Sequence, residues 1–493
     1  MSTIWNSRTT MALGTLTTVI ACTGSDPNDT PKRDADPDVS PPEIVSQMPL
    51  HRDPEVSVHQ PIEVKFSERV RLSDSVPVTL FANTGESDVP VPATVRLSPD
   101  ATVVTIEPNA PLSAPAAYSV KLGDIRDEAG NAFVSMEWRW NAPRWLRVGQ
   151  PLEDAGEISR SMIVAGPGEQ VTVGSTVTVN PSTQRLLLHT IEHSKDKWAM
   201  VDNRLTIDSR IPPSLLLDKE LGLSALISDR ENHIVLDQWL DMKWQEHSLD
   251  TLPIFDGALV TKAKNGERFL AYTGDVPDGD FARDIFVSHG SNWSQLGGSV
   301  NGDDGNALTL ISLSLDRQGT PYVAYSTSSD AGRLRYWSHD SWALLAPSTT
   351  APGDGTTILQ MTVDDGGTPF ALVNLYNGPP EASEPLQIRR FDGDRWIDCG
   401  ARLVMSDSPV LGYFGPALDG HIFAAVIGRN THAEVPDKFL TFDVTRDGWT
   451  AIPPPVETLP WQSTTVSGTV DPSGAPILAW NEGSVVHLRR LNR

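Results

Sequence analysis

The sequence predicts an all-β protein with two folded domains, a small β-sandwich followed by a seven-bladed β-propeller. Three observations lead to this prediction. The chain has 493 residues, of which 39 are proline and 37 are glycine, and such a share favours short strands and turns over long helices. Apolar and polar residues alternate with a period of two within residues 43–142. A turn motif then recurs roughly every 50 residues up to the C-terminus.

The charge balance argues against a nucleic-acid partner, and the cysteine count argues against disulfide scaffolds and multi-cysteine zinc sites. With 63 acidic and 39 basic residues the formal net charge is −24, and we expect no nucleic-acid partner because such a surface repels phosphates. Two cysteines, Cys22 and Cys399, are too few for a disulfide scaffold or a multi-cysteine zinc site. No run of about 18 apolar residues follows the N-terminal segment, so we expect no membrane-spanning helix in the mature protein.

The N-terminal segment is predicted to be a secretion signal. A short apolar stretch, Met11–Ala21, ends at Cys22, a pattern typical of an export signal and too short for a mature anchor. Val19–Cys22 resembles the lipobox of bacterial lipoproteins, which implies a signal peptide at residues 1–22 and a lipidated Cys22. Thr23 is not an aspartate, so the resemblance favours the outer membrane or the cell surface. An ordinary export signal with an incidental cysteine is the alternative.

Residues 23–42 are predicted to be a disordered tether. They contain five prolines, five aspartates and no large apolar side chain. Such a stretch cannot bury enough apolar surface to offset the entropy that ordering removes. As a proline-rich spacer it could extend to roughly 60 Å at about 3.1 Å per residue. The tether would hold a folded body away from a lipid surface.

Residues 43–142 are predicted to form the β-sandwich. Apolar residues alternate with polar ones at 62–66 and 118–122, and turns rich in proline, aspartate and glycine separate about seven short strands. The segment also resembles the SbsA-type Ig-like domain of bacterial surface-layer proteins. The matching pieces are Pro41-Pro42, Phe66–Val70, Leu112–Leu122 and Asp127–Asn131. The resemblance implies a spacer or adhesive module without catalysis, and we interpret Asp127–Asn131 as a tight turn rather than a metal loop.

Residues 143–493 are predicted to form the propeller from repeated units. The clearest copies of the turn motif are Asp-x-x-Gly-x-Pro followed by an apolar strand, at Asp316, Asp364 and Asp471. Weaker copies begin at Asn180, Asp229, Ala263 and Ala417. Aspartate, glycine and proline each have a backbone reason to occur in a tight turn, so we interpret the motif as structural. The motif would join strands one and two of each blade.

A second landmark, Trp-x-x-apolar, closes each unit and predicts how the ring closes. It occurs at Trp198, Trp293, Trp342, Trp396 and Trp449, and Trp244 has His247 in the apolar slot. The last unit lacks its tryptophan, whereas Trp145 precedes the first turn motif. The segment around Trp145 should therefore supply the fourth strand of the last blade and interlock the two ends. Six or eight blades are the alternatives, because Asp229 and Ala263 are unusually close. In this arrangement Cys399 should be buried and His247 should lie at a blade edge.

Acidic residues cluster in one predicted loop between strands two and three. Asp275, Asp278, Asp280 and Asp284 lie close together in the sequence, on the propeller face that carries the channel mouth. Calcium takes six to eight oxygen ligands, so these four residues are the candidate metal ligands. Their spacing is not that of an EF-hand loop, so we interpret the cluster as a solvated acidic loop and keep calcium binding as the alternative.

No catalytic constellation can be assigned from the sequence. The nucleophile elbow, the phosphate-binding loop and the His-Glu-x-x-His helix are all absent from it. His189 and His193 would lie on one face of a strand, but no third metal ligand is evident. Arg210–Pro212 resembles the arginine motif of sialidases without assignable companion residues. We therefore predict no catalytic residue and no cofactor, with calcium as the one candidate.

These features predict a monomeric, lipid-anchored binding protein of the bacterial cell envelope. The propeller face would recognise a glycan or a protein, and the Ig-like domain would be a spacer. Exposed tryptophans on the channel face would favour glycan binding, and the candidates are Trp239, Trp337, Trp461 and Trp480. The alternatives are an envelope scaffold and a propeller hydrolase or lyase of polysaccharides, which would need two carboxylates roughly 5–9.5 Å apart.

Overall fold

The computed structural model describes most of the chain that follows residue 37. The described residues are 38–73, 78–83, 85, 87–153, 158–166, 170–180, 183–192, 197–208, 213–218, 222–228, 234–240, 243–248, 258–263, 265–275, 283–302, 307–327, 332–345, 356–375, 386–403, 408–429, 436–459 and 466–493. Over these residues the protein is all-β, apart from a short 3-10 turn at Leu418–Gly420. Within this part of the chain no helix has the length and apolarity needed to cross a membrane.

Residues 44–142 form two four-stranded antiparallel sheets and a two-stranded ribbon, which together we call the first unit. Its strands are β1 (Ile44–Met48), β2 (Ile62–Phe66), β3 (Val70–Leu72), β4 (Val78–Asn83), β5 (Asp88–Val91), β6 (Ala93–Leu97), β7 (Val103–Pro108), β8 (Ala116–Leu122), β9 (Ile125–Asp127) and β10 (Met136–Ala142). The strand orders are β1-β2-β7-β6 and β10-β8-β4-β5, and β3 pairs with β9.

The two sheets of the first unit share one hydrophobic core. In β2 the side chains of Ile62, Val64 and Phe66 are buried, whereas Glu63 and Lys65 are not. β8 and β10 contribute to the same core, and β10 adds two buried tryptophans. Successive side chains of a strand point to opposite faces, so the predicted alternation puts the apolar residues between the sheets. The predicted period-two pattern is confirmed in these strands.

Residues 145–493 form seven sheets within the described residues, five with four strands and two with five, numbered I to VII in chain order. Sheets I to III contain β13 (Ile158–Ala165), β14 (Gln170–Asn180), β15 (Thr183–Glu192), β16 (Ala199–Asp208); β17 (Ser214–Asp218), β18 (Gly222–Ser228), β19 (Ile234–Leu240), β20 (Lys243–Ser248); and β21 (Ala258–Lys262), β22 (Arg268–Asp275), β23 (Arg283–His289), β24 (Ser294–Gln295).

The remaining sheets continue the same pattern. Sheets IV to VI contain β25 (Ala307–Leu315), β26 (Pro321–Thr327), β27 (Arg333–Ser338), β28 (Ser341–Leu344); β29 (Thr356–Val363), β30 (Pro369–Leu375), β31 (Leu386–Phe391), β32 (Trp396–Asp398); and β33 (Ser408–Pro416), β34 (Ile422–Arg429), β35 (Asp437–Val444), β36 (Trp449–Ile452), with β37 (Thr458–Leu459) beside β35. Sheet VII contains β38 (Val466–Val470), β39 (Pro476–Glu482), β40 (Val485–Leu491) and β11 (Trp145–Arg147), with β12 (Leu152–Glu153) beside β40.

Each sheet contacts the next one through its first strand. Each first strand contacts the first strand of the next sheet, in the order β13, β17, β21, β25, β29, β33 and β38. The last of them, β38, contacts β13. Side chains link neighbouring first strands, since Ser312 Oγ accepts a hydrogen bond from the Met361 backbone N–H at 3.1 Å and Ser314 Oγ accepts one from the Val363 N–H at 3.2 Å. The second region is therefore a propeller-like all-β arrangement.

The predicted interlock of the chain ends is confirmed. β11 pairs antiparallel with β40, with Trp145 opposite Leu491, Leu146 opposite Arg490 and Arg147 opposite Arg489. Sheet VII is thus completed by a strand that lies more than 300 residues earlier in the sequence.

Four tryptophans of the repeat link adjacent sheets. The indole N–H of each of these four donates to a backbone carbonyl just beyond the fourth strand of the preceding sheet. These bonds join Trp145 to Pro453 (2.7 Å), Trp198 to Gln150 (2.7 Å), Trp342 to Leu296 (3.1 Å) and Trp449 to Ala401 (2.8 Å). A buried indole needs a partner for its N–H, and the repeated carbonyl meets that need in four of the sheets.

Two of the weaker turn motifs were placed wrongly by sequence. Asn180 ends β14 and Asp229 follows β18, so both lie between strands two and three rather than between strands one and two. Ala263 and Ala417 do lie between first and second strands, as predicted. The wrong placement explains the short interval between Asp229 and Ala263, because Asp229 belongs to a different connection of its sheet.

Candidate functional site

A cavity of about 330 Å³ lies where four consecutive first strands end. It is lined by residues 261–263, 313–317, 360–365 and 413–416, at the C-terminal ends of β21, β25, β29 and β33. The turns between strands one and two begin at this edge of the sheets. We call this space the strand-end cavity, and its volume is at the lower end of the range for ligand pockets.

The Asp-x-x-Gly-x-Pro turns fix the rim of the strand-end cavity. One carboxylate oxygen of Asp316 accepts hydrogen bonds from the N–H groups of Gln318 and Thr320, both at 2.9 Å. Asp364 does the same for Gly366 (2.8 Å) and Thr368 (2.7 Å). The motif glycines have positive φ values, which a residue with a Cβ adopts at a cost. The prediction that the motif is a backbone device is confirmed.

The two rim aspartates differ in their surroundings. The second oxygen of Asp364 accepts a hydrogen bond from Arg446 Nη2 of sheet VI at 3.1 Å, and this arginine also donates to Thr368. Within the described part of the chain, Asp316 has no lysine or arginine at ion-pair distance. The nearby Tyr322 hydroxyl has a pKa raised to about 12 by burial first and by the charge of Asp316 second. Asp364 is thus paired with an arginine, whereas Asp316, among the described residues, is not.

Irregular pairing aims two uncharged polar side chains at the strand-end cavity. The register of β29 against β30 shifts just before Gln360, and that of β33 against β34 shifts just before Tyr413. A β-bulge of this kind bends the strand and turns the next side chain. Gln360 and Tyr413 both line the cavity. Neither the amide of Gln360 nor the hydroxyl of Tyr413 has a hydrogen-bond partner among the described residues.

Two glycines make room for Tyr413. The ring lies against the Cα of Gly468 on β38, and the hydroxyl lies beside Gly415, so a Cβ at either glycine would collide with the tyrosine. Burial raises the pKa of Tyr413, so the phenol is protonated at neutral pH and can donate as well as accept a hydrogen bond. The cavity therefore offers two polar groups that a ligand could engage.

The predicted calcium ligands are only partly within the described residues. Asp278 and Asp280 lie outside them, and Asp275 is at the end of β22, where its side chain is not described. Asp284 lies in β23 opposite Gly274, and its carboxylate accepts a hydrogen bond from Asn301 Nδ2 at 2.6 Å. Asp284 therefore has a structural partner, and calcium remains a candidate ligand of this loop.

The candidate tryptophans of the channel face divide into two groups. Trp480 is 2% exposed and stacks on His487, and Trp337 packs edge-to-face against Trp342, so both contribute to packing. Trp461 lies outside the described residues, and Trp239 lies in β19 with an undescribed side chain. The first two give no support to an exposed aromatic platform.

The other residues singled out by sequence have varied outcomes. Cys399 is buried, as predicted, and its thiol donates to the Thr445 carbonyl. His189 is buried in β15, and its suggested metal partner His193 lies outside the described residues, as does Arg210–Pro212. His247 lies in β20, where its side chain is not described.

Three carboxylates in and just before the first unit lie close together. Oxygens of Asp38, Glu68 and Asp127 lie within 4.8 Å of one another. Burial raises the pKa of Glu68, and the charges of Asp38 and Asp127 raise it further. Asp127 already accepts hydrogen bonds from the backbone N–H and the side chain of Asn131, both at 2.7 Å. This supports the interpretation of Asp127–Asn131 as a turn.

Comparison with known families identifies only the first unit. Residues 38–141 match the model of a bacterial Ig-like domain, about a fifth of the chain. The first unit is therefore an Ig-like domain. No curated protein matches the chain.

Three solved structures illustrate how distant the structural similarities are. A Bacteroides thetaiotaomicron protein of unknown function is 13% identical, with 92% of this chain and 98% of that one covered and a TM-score of 0.36. A six-bladed fucose-recognising lectin of Aleuria aurantia is 14% identical, with 61% and 94% covered and a TM-score of 0.37. The polysaccharide lyase Uly1 is 11% identical, with 70% and 92% covered and a TM-score of 0.43. At these TM-scores the likeness is too distant to indicate a function.

Sequence reasoning missed Gln360 and Tyr413. A signal was present, because each is the fourth residue before its turn, and Ser312 has the same position before Asp316. A comparison of the repeats at this position would have shown a serine replaced by larger polar residues. The predicted face, with its long acidic loops, lies at the opposite ends of the same first strands, largely outside the described residues.

Proposed function

We propose that this protein is an exported, lipid-anchored binding protein of the bacterial cell surface, in which the second region holds a glycan. The observation that carries the proposal is the strand-end cavity with the free polar groups of Gln360 and Tyr413. A polar group that lacks a protein partner in a concave site is suited to hydrogen-bond a ligand.

The chemistry of the strand-end cavity favours a neutral polyhydroxyl ligand. An amide and a phenol each provide a donor and an acceptor, as sugar hydroxyl groups do. Of the two rim aspartates, Asp364 is already paired with Arg446. Asp316 retains a carboxylate that can accept hydrogen bonds from two adjacent hydroxyl groups. A protein ligand is the alternative, and it would contact the turns rather than enter the cavity.

The architecture that we propose is a seven-bladed β-propeller after an Ig-like sandwich. Seven sheets, contacts that return from β38 to β13, and a last sheet completed by β11 support the blade count. A common core between two sheets supports the sandwich. The bacterial Ig-like match supports a location at the bacterial surface or outside the cell. The lipobox-like segment at Cys22 and the tether at residues 23–42 supply the proposed anchor and reach.

The proposal is tested by a thermal-shift screen of residues 36–493 against a panel of neutral and acidic glycans, with and without calcium. A binding glycan should raise the melting temperature, because a ligand at 100 times its Kd stabilises the folded state by about 2.7 kcal/mol. Tyr413→Phe and Gln360→Leu should reduce the shift while leaving the unliganded melting temperature nearly unchanged. Trp337→Phe, away from the cavity lining, is the matched control.

Each outcome of the screen has a distinct meaning. A glycan shift that survives both substitutions would place the site outside the strand-end cavity. A shift with calcium alone would indicate an ion site, and Asp284→Asn would then test the acidic loop. No shift with any glycan would contradict the proposed ligand class and favour a protein partner or an envelope scaffold.

The anchor is tested separately in cells. Cys22→Ser should move the protein from the membrane fraction to the soluble fraction and abolish labelling with radioactive palmitate. Retention of the label after this substitution would contradict lipidation at Cys22.

A further inference from the structure

The strand pair that closes sheet VII contains two like charges. Arg147 of β11 lies directly opposite Arg489 of β40 in the antiparallel register. Like charges directly opposite one another on paired strands are destabilising. The closing pair therefore needs a counter-charge, and among the described residues sheet VII has no carboxylate at ion-pair distance from either arginine.

The counter-charge comes from the first unit. Glu55 Oε2 lies 3.4 Å from Arg147 Nε, and Glu55 Oε1 lies 3.0 Å from Arg489 Nη1. One carboxylate thus bridges both strands of the closing pair. All three side chains are between 29% and 44% exposed, so the ion pairs are less screened than fully exposed ones.

A buried amide joins the same two parts of the molecule. Asn492, directly after β40, is 3% exposed. Its side-chain oxygen accepts from the Val58 N–H at 2.9 Å, and its side-chain nitrogen donates to the carbonyls of Val56 (3.1 Å) and Pro143 (2.8 Å). The Asn492 N–H donates to the Arg144 carbonyl at 2.8 Å. The side-chain amide and the backbone N–H of Asn492 therefore all bond to residues that precede β11 in the sequence.

We infer that residues 55–58 of the first unit act as a latch that keeps sheet VII closed. Glu55 neutralises the opposed arginines, and Asn492 fixes the end of β40 to the backbone at Val56 and Val58. β11 begins only three residues after β10, and the latch segment is bonded to β10. The Val56 N–H donates to the Asn141 carbonyl at 3.0 Å, and the Asn141 N–H donates to the Asp53 carbonyl at 2.9 Å. The latch and the closing strand are therefore both attached to β10. The Ig-like domain therefore stabilises the ring of sheets and is more than a spacer.

The latch is tested by amide hydrogen exchange of the full chain carrying Glu55→Gln. We expect exchange in β11 and β40 to become about tenfold faster, because local opening of a sheet exposes its amides without global unfolding. Exchange in β30 and β31 of sheet V should stay within about twofold of the wild type. Glu107→Gln, which removes an exposed ion pair with Arg96 in the same unit, should have neither effect.

A double variant separates the latch from a general loss of stability. Glu55→Gln combined with Arg147→Gln removes one of the opposed charges, and exchange in β40 should return most of the way to the wild-type rate. Asn492→Asp would test the second contact, since it keeps the shape but replaces the amide donor with a carboxylate oxygen beside two carbonyls; β40 should again open. Unchanged exchange in β40 for both single variants, or equal acceleration in every sheet, would overturn the inference.

Discussion

Sheets IV and VII share the same local chemistry but not the same connectivity. Each has an Asp-x-x-Gly-x-Pro turn, at Asp316 and Asp471, and each has a tryptophan that is 8% exposed and bonded to the preceding sheet, Trp342 and Trp145. Sheet IV comes from the continuous segment 307–344, whereas sheet VII takes its fourth strand from the other end of the region. A difference between the matched tryptophans or between the matched glycines should therefore come from connectivity.

The comparison shows how a long-range strand pair can be stable. Closing a loop of several hundred residues costs only slightly more entropy than closing a short one, because the cost grows with the logarithm of length. The cost is met once the six other sheets have brought the ends together. We therefore expect damage in sheet IV to act locally and damage in the closing pair to open the whole series of sheets.

Removal of the closing strand should have the largest effect. Deletion of residues 143–150 should lower the melting temperature by roughly 10 °C or more. The lost packing, about 3–5 kcal/mol, corresponds to several degrees in a large domain, and the freed chain ends lower the melting temperature further. Calorimetry of this variant beside a chain lacking only residues 1–37 provides the test. An unchanged melting temperature would rule out the interlocked closure.

The matched tryptophans should show the next largest effect. Trp342→Ala and Trp145→Ala should each reduce the free energy of unfolding by about 3–5 kcal/mol, because each leaves a large cavity and an unpaired carbonyl. Urea denaturation measures both. If closure couples the ends, Trp145→Ala should also increase proteolysis at the chain ends, and Trp342→Ala should not. Equal proteolysis of the two variants would contradict the coupling.

The turn aspartates of sheets IV and VII should differ because, of these two, only Asp471 is paired with an arginine. Asp471 also bonds Arg490, whereas Asp316 caps its turn alone. Asp471→Asn should therefore cost about 3 kcal/mol at pH 7, and Asp316→Asn about 1 kcal/mol. Urea denaturation of the two variants provides the comparison, and a larger loss for Asp316→Asn would contradict the role given to Arg490.

The effect of Asp471→Asn should also depend on pH. Burial alone would raise the pKa of Asp471, but hydrogen bonds from Ser473 and Ala475 and the charge of Arg490 together lower it below 3.8. A lowered pKa gives stability that is present above the unfolded-state value and lost as the pH falls through the folded-state value. The difference between wild type and variant, measured by denaturation from pH 7 downward, should therefore shrink below about pH 4. A constant difference would contradict this assignment.

The motif glycines should show the smallest effect and no difference between the sheets. Gly319 and Gly474 have φ values of 87° and 80°. Gly319→Ala and Gly474→Ala should each cost about 1 kcal/mol, because the strain is confined to one residue. Thermal denaturation of the two variants tests this. A markedly larger loss at Gly474 would mean that connectivity affects even local strain.

Sequence patterns predicted the features that repeat. The turn aspartates and the tryptophans recur because backbone chemistry and packing impose the same residues on each sheet. The tryptophan missing from the last unit was the signal that predicted β11. Prediction failed at Asn180 and Asp229, where the motif is weak and a hairpin between strands two and three has similar residue preferences. A single sequence provides too little signal there to fix the register.

The sequence by itself determined the all-β class, the two regions and the pairing of the chain ends, because these follow from periodicity and local backbone preferences. Only the tertiary structure decided which side chains meet. Gln360 and Tyr413 reach one cavity through bulges, and Glu55 and Asn492 act on partners that are 434 residues away in the sequence. Such contacts depend on how all the sheets are positioned relative to one another, and no local sequence pattern determines those positions.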